Sequence, residues 1–251
     1  MKISAVEAFP VTIVIRPEFA ILSALGEHRL SRPVIVIVRS DDGLAGYGEA
    51  TVTPVWSGET QAGALGAIRE VLAPLLLGRD PLHVASLADA MDRALIGNPF
   101  AKAALEMALL DLAGKALNAP AHILLGGPRR PSAIPLKFSI GAFPPSEAGR
   151  VAETVAGMGL RAVKVKVGTD PGLDIARVQA VRSAMGDSFP IGVDANAGWS
   201  ESAAAAALPH LERLGVNALE EPLRRGDFRA CARLRRRTSI LVDHVQDRPG
   251  V

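Results

Sequence analysis

The sequence predicts a two-part α/β chain, with an α+β module over residues 1–125 followed by a parallel (β/α) unit over residues 126–251. Three observations carry this prediction. Three β-type runs come first, then three helical stretches with apolar residues three and four apart. From about residue 133, short apolar runs alternate with Ala- and Leu-rich helical stretches. That alternation means parallel strands joined by right-handed crossovers.

The opening runs KISAVEAFPVTIVI, PVIVIVRS and LAGYGEATV read as a three-stranded meander, with Asp42-Gly43 as the tight turn between the second and third. ETQAGALGAIREVLAPLLLG, HVASLADAMDRALIG and NPFAKAALEMALLDLAGKALN follow as helices. LLGGPRRPS, dense in Gly and Pro, marks the boundary. The strands of the second part are AIPLKFSIG, RAVKVKV, PIGVDAN, NALEEP and SILVD. The helices between them are PSEAGRVAETVAGMG, LDIARVQAVRSAM and ESAAAAALPHLERLG. An open doubly wound sheet and a (β/α)8 barrel both fit. No glycine-rich phosphate loop opens any helix, which removes the usual reason to favour the nucleotide-binding sheet.

Composition narrows the function. With 49% hydrophobic and 22% charged residues the chain reads as globular. Lys and Arg exceed Asp and Glu by only 28 − 26 = 2, so no net field points to nucleic acid or an anionic membrane. No run of 18 apolar residues suggests a span. Cys231 is the only cysteine, which excludes an internal disulfide and points to a cytoplasmic setting. The expected partner is a small molecule, and the expected assembly is a homo-oligomer.

Charge collects where the apolar runs end: Lys164 and Lys166, Asp194 with Asn196, Glu220 with Glu221, and Asp243. The intervals between Lys164, Asp194, Glu220 and Asp243 are each about one βα unit. In a parallel barrel that mouth is where active sites lie. Three carboxylates from adjacent strands call for a cation, and Mg²⁺ suits a site of oxygen donors without thiolate or imidazole. Positive charge from Lys164 and the cation favours an uncharged Lys166, which can then act as a general base. The chemistry implied is removal of a proton α to a carboxylate.

In order and spacing, Lys164-Val165-Lys166, Asp194-Ala195-Asn196 and Glu220-Glu221-Pro222 resemble the enolase superfamily, in its muconate-lactonizing and mandelate-racemase branch. The resemblance implies an N-terminal α+β capping domain followed by an incomplete (β/α)8 TIM-type barrel of about five βα units. It implies Lys166 as the base, Lys164 as its electrostatic neighbour, and Asp194, Glu220 and Asp243 as Mg²⁺ ligands with Asn196 behind them. Loops at residues 16–28 and 51–60 would select a small carboxylate substrate, which makes Thr53 and Trp56 candidate substrate-binding residues.

The implied activity is that of an isomerase or lyase, muconate cycloisomerase-like. The alternatives are a racemase or epimerase of amino acids, dipeptides or N-acyl amino acids, and an inactive truncated remnant. Two departures stand out. The fifth-strand motif reads Asp243-His244-Val245 where the family has Asp-Glu. The chain also stops at Val251 after five units, with three more, on the order of 80 residues, expected of a full barrel. The expectation is therefore either a fragment or truncated product, or a chain completed by something not in the sequence. The run Arg233, Arg235, Arg236 and Arg237 reads as the solvated face of an outer helix.

Overall fold

The computed structural model of the chain describes residues 1–128 and 134–243. His244 and part of the Gly/Pro-rich boundary lie outside the described residues. The chain divides into two compact units, one formed by Met1–Val14 with Leu30–Ala133 and the other by Ile15–Arg29 with Ile134–Val251. The segment Ile15–Arg29, which the sequence places in the first module, thus clusters with the second.

Along the first 50 residues run β1 (Ile3–Pro10), β2 (Ile13–Val14), β3 (Ile21–Ser23), β4 (Gly26–His28), β5 (Leu30–Ser31), β6 (Val34–Ser40) and β7 (Ala45–Ala50). β1, β6 and β7 form an antiparallel sheet in that order, the expected meander. The predicted first strand breaks after Pro10, and only the short β2 continues it, paired with β5. In β6 the period of two puts Val34, Val36 and Val38 on one face, where all three are fully buried.

Helices α1 (Pro54–Ser57), α2 (Gln61–Gly66), α3 (Ala73–Leu76), α4 (Val84–Ala94), α5 (Pro99–Ala116) and α6 (Ala121–Leu124) complete the first unit. A π-helical stretch, Ala67–Leu72, joins α2 to α3. α5 carries buried Ala101, Ala104, Leu105, Ala108, Leu109 and Leu112. Small residues let it lie close on the sheet: a Cβ at Gly48 would stand 1.9 Å from the Ala104 carbonyl oxygen.

The second unit is a five-stranded parallel sheet. Its strands are β8 (Lys137–Ile140), β9 (Ala162–Lys166), β10 (Ile191–Asp194), β11 (Val216–Glu220) and β12 (Leu241–Asp243), each beside its neighbour in sequence. Helices α7 (Pro145–Ala156), α8 (Pro171–Met185), α9 (Glu201–Arg213) and α10 (Phe228–Arg235) form the crossovers. Consecutive order with a crossover helix in every connection is the wall of a barrel, which resolves the choice the sequence left open, and five strands leave that barrel incomplete. Val163, Val165 and Val167 are fully buried and share an apolar layer with Ala148, Ala152 and Val155 of α7 and Val178 and Val181 of α8.

The β3–β4 hairpin belongs to this unit. Ala142 N–H donates to the Leu22 carbonyl at 2.7 Å, and Phe19 meets Phe138 edge to face at 6.0 Å. Among the described residues no helix is long and apolar enough to cross a membrane.

Candidate active site

Strand register brings the charged residues into one row. Lys166 pairs with Asp194, Asp194 with Glu220 and Glu220 with Asp243, each the last residue of its strand. In β9 the valines face the helices, so Lys164 and Lys166 share the opposite face.

There the two ammonium groups converge on one acceptor. Lys166 Nζ lies 2.6 Å from Asp194 Oδ2 and 2.8 Å from Asn196 Oδ1. Lys164 Nζ lies 3.2 Å from the same Asp194 oxygen and 2.8 Å from Glu220 Oε2. Lys164 therefore reaches across β10 to a carboxylate on β11. Its neighbour in register on β10 is Gly192.

The electrostatics follow from this arrangement. Burial works against ionising Asp194, but Lys166, Lys164 and the Asn196 backbone N–H at 2.9 Å outweigh it and hold the carboxyl below the usual aspartate range. Burial likewise opposes the charge on Lys164. The hydrogen bond to Glu220 and the charges of Asp194 and Glu220 prevail and keep its ammonium above the ordinary lysine value.

Of the three carboxylates expected to hold a cation, Asp194 and Glu220 are paired with lysines. Among the described residues no three His, Cys, Asp or Glu side chains stand close enough together to hold a metal ion. The physical reason is visible in the contacts, because the lysines take the Asp194 and Glu220 oxygens. The donor set still fits Mg²⁺ in chemistry: three hard carboxylates end three consecutive strands in register, about 4.8 Å from strand to strand, and the lysines that cover two of them sit on flexible four-carbon stems. Asp243 also ties its strand to β11, its carbonyl accepting from Glu221 N–H at 3.0 Å.

Strain concentrates at the same strand ends. Asn196, Ala197 and Glu221 have φ of 44°, 62° and 45°, in the left-handed region that residues other than glycine seldom enter. Glu221 is fully buried; its Oε1 accepts from Arg225 Nε at 2.7 Å, while Oε2 has no hydrogen-bond partner among the described residues. Thr53 and Trp56 belong to the first unit. Trp56 is 41% exposed and stacks edge to face on Phe100 at 5.9 Å. Thr53 precedes α1, and its carbonyl accepts from the Ser57 hydroxyl at 3.1 Å.

Beneath the Lys166 strand end lies a polar hub that the sequence reading missed. Asp174, with no exposed surface, accepts through Oδ2 from Gly168 N–H at 2.8 Å, Thr169 N–H at 3.0 Å and Trp199 Nε1–H at 3.0 Å. Its Oδ1 accepts from the Thr169 hydroxyl at 2.8 Å and from Arg177 Nη1 at 2.6 Å. Arg177 also donates to the carbonyls of Phe143 and Lys166. The one available signal was the pair Asp174 and Arg177, three apart on one helix.

Gly168 closes this loop. Its φ is +91°, and a Cβ there would stand 2.1 Å from the Ala195 carbonyl oxygen. Gly168→Ala is expected to destabilise the second unit by about 1–3 kcal/mol through backbone overpacking and left-handed strain. The check is a urea titration followed by Trp199 fluorescence in a Trp56→Phe background, where the midpoint should fall with the slope unchanged.

A parallel βα sheet whose strand ends carry facing lysines and carboxylates defines an α/β protein of the barrel type, with an ionisable site at the mouth. Comparison with known proteins then places it. The family described as mandelate racemase / muconate lactonizing enzyme, N-terminal domain, matches residues 7–126, and that described as enolase C-terminal domain-like matches residues 147–246. The chain belongs to the enolase superfamily, in its mandelate racemase / muconate lactonizing enzyme branch.

It is 32% identical over 241 residues to an N-succinyl-L-Arg/Lys racemase of Bacillus cereus, covering 96% of this chain and 64% of that protein. It is 36% identical over 249 residues to a chloromuconate cycloisomerase of Cupriavidus pinatubonensis, covering 97% and 66%. Among solved structures it resembles a dipeptide epimerase from Cytophaga hutchinsonii complexed with Mg and the dipeptide D-Ala-L-Val. That match has a TM-score of 0.90 and 30% identity, covering 97% of this chain and 65% of the other. The chain thus spans about 65% of the length of these relatives.

Proposed function

We propose that the chain's site removes a proton α to a carboxylate, with Lys166 as the base and Asp194, Glu220 and Asp243 as the residues that would hold Mg²⁺. The observation that carries this reading is the shared acceptor: two lysines from one strand meet a single carboxylate oxygen of the next, at 2.6 and 3.2 Å. A lysine works as a base in its uncharged form, and Lys166 Nζ stands at the end of its strand with Asp194 and Asn196 as its partners. The substrate C–H proton passes to Lys166 Nζ, and the electron pair left on carbon delocalises into the substrate carboxylate. Asn196 Oδ1 accepts from Lys166 Nζ and keeps the amine pointed. The chemistry that Mg²⁺ supplies when bound is neutralisation of the negative charge that develops there.

Within this reaction class the chain reads as muconate cycloisomerase-like, acting on a small dicarboxylate. The 36% identity to a chloromuconate cycloisomerase supports this. Racemisation or epimerisation of N-acyl amino acids or dipeptides is the second reading, supported by the likeness to the racemase and the dipeptide epimerase. The test is solvent-deuterium incorporation at Cα, followed by NMR, for muconolactone, N-succinyl amino acids and dipeptides, with and without Mg²⁺. Exchange dependent on Mg²⁺ with one class identifies the activity. Absence of exchange across the panel, with no Mg²⁺ binding by calorimetry, leaves the inactive-remnant reading for this chain.

A further inference from the structure

The hub below Lys166 takes no part in the proton transfer itself, yet it touches three successive strand ends. Phe143 follows β8, Lys166 ends β9, and Trp199 follows β10, and the Asp174–Arg177 pair bonds to all three. We propose that Asp174, Arg177 and Trp199 are positioning residues that fix the Lys166 ammonium between Asp194 and Asn196; this rests on the reading of Lys166 as the base.

The argument runs through the backbone. A lysine has a long flexible stem, so where its nitrogen comes to rest depends on how its Cα–Cβ bond is aimed. The two peptide groups after Lys166 are held by three bonds: the Lys166 carbonyl by Arg177 at 3.2 Å, Val167 N–H by the Asp194 carbonyl at 2.9 Å, and Gly168 N–H by Asp174 at 2.8 Å. Two of these three bonds come from the hub. The third comes from Asp194, the residue whose side chain receives the ammonium.

The placement of the charges also argues for geometry over stability. A buried ion pair is seldom a better stabiliser than apolar packing of the same volume. The neighbouring helix α7 shows the apolar solution, burying Ala148, Ala152 and Val155. At the far end of α8, Arg182 satisfies the carbonyls of Leu214, Gly186 and Phe189 without a carboxylate among its hydrogen-bond partners. Only at the Lys166 end does α8 bury an acid and a base together.

The test uses the 251-residue protein with Asp174→Asn and, separately, Trp199→Phe, which deletes one N–H donor while keeping an aromatic ring. Trace acetic anhydride labelling read by mass spectrometry gives the reactivity of Lys166 relative to Lys164, and it needs neither metal nor turnover. The expected result is a several-fold change in that ratio in variants whose circular dichroism and melting show a folded chain.

If Asp174→Asn does not fold, Trp199→Phe decides. A folded Trp199→Phe protein with the wild-type ratio overturns the proposal. Where α-proton exchange is measurable, kcat should fall about 10–100-fold with KM unchanged, since a misplacement near 1 Å is enough for such a loss; a change confined to KM overturns it as well. The two readings fail separately. Exchange that survives in Lys166→Ala defeats the base assignment and leaves the labelling result standing, whereas an unchanged labelling ratio alongside Lys166-dependent exchange defeats only the hub.

Discussion

Replacing Lys166 with Ala is expected to lower Mg²⁺-dependent α-proton exchange by about 10²–10⁴-fold, the range a positioned general base supplies. The fold should survive, because Asp194 keeps Lys164 at 3.2 Å and the Asn196 backbone N–H at 2.9 Å. Lys166→Arg separates charge from basicity. A guanidinium restores a cation opposite Asp194 but stays protonated at any working pH, so it cannot take the substrate proton. The arginine variant should therefore melt close to wild type while losing exchange as fully as the alanine variant. An arginine variant that retained exchange would show that Lys166 acts as a cation, and the base would have to be sought elsewhere in the row.

The contrast with Lys164 sharpens the expectation. Lys164 bridges Asp194 and Glu220, so Lys164→Met leaves two carboxylates in adjacent strands without the ammonium between them. In metal-free buffer that variant should lose more stability than Lys166→Ala, and added Mg²⁺ should restore part of the loss if the carboxylates hold the ion. Thermal melting of both variants with and without Mg²⁺ measures this.

How much of this was legible in the sequence depends on which physical signal each feature leaves. The row of charged strand ends is legible because a parallel sheet repeats at a nearly constant interval. Lys166, Asp194, Glu220 and Asp243 stand opposite one another in register, as one-unit spacing requires. The direct ion pairing is not legible, because whether a lysine crosses a neighbouring strand depends on the side chain in its way. Lys164 lies in register with Gly192 and reaches both Asp194 and Glu220, and nothing in VKVK announces it.

The hub is hidden for a related reason. α8 buries Asp174, Arg177 and Arg182 alongside Val178 and Val181, so charged residues interrupt the apolar stripe that would mark its inner face. The β3–β4 hairpin, read as a loop, pairs only Ile21–Ser23 with Gly26–His28, too short a stretch for alternation to show. Asn196 is of a residue type that tolerates left-handed backbone, whereas Ala197 and Glu221 adopt it with no local sequence signal.

The largest stability effect expected is at Arg177. Arg177→Met keeps roughly the length of the side chain, but it strips the Asp174 carboxylate of its only ionic partner among the described residues. Asp174 has no exposed surface, so water cannot replace the guanidinium without opening the loop. Removing one partner of a buried pair typically costs about 3–5 kcal/mol, a large share of the roughly 5–15 kcal/mol that holds a domain folded.

The remaining donors to Asp174, from Gly168, Thr169 and Trp199, are neutral and offset only part of that loss. The double variant Arg177→Met with Asp174→Leu removes both charges, and should recover stability relative to the single variant while leaving Gly168 and Thr169 N–H groups unmet. Recovery in the double variant without recovery of the wild-type Lys166 labelling ratio would separate the two roles of the hub. Stability follows from cancelling the charge, whereas the aim of Lys166 follows from the hydrogen bonds that hold the peptide groups after it.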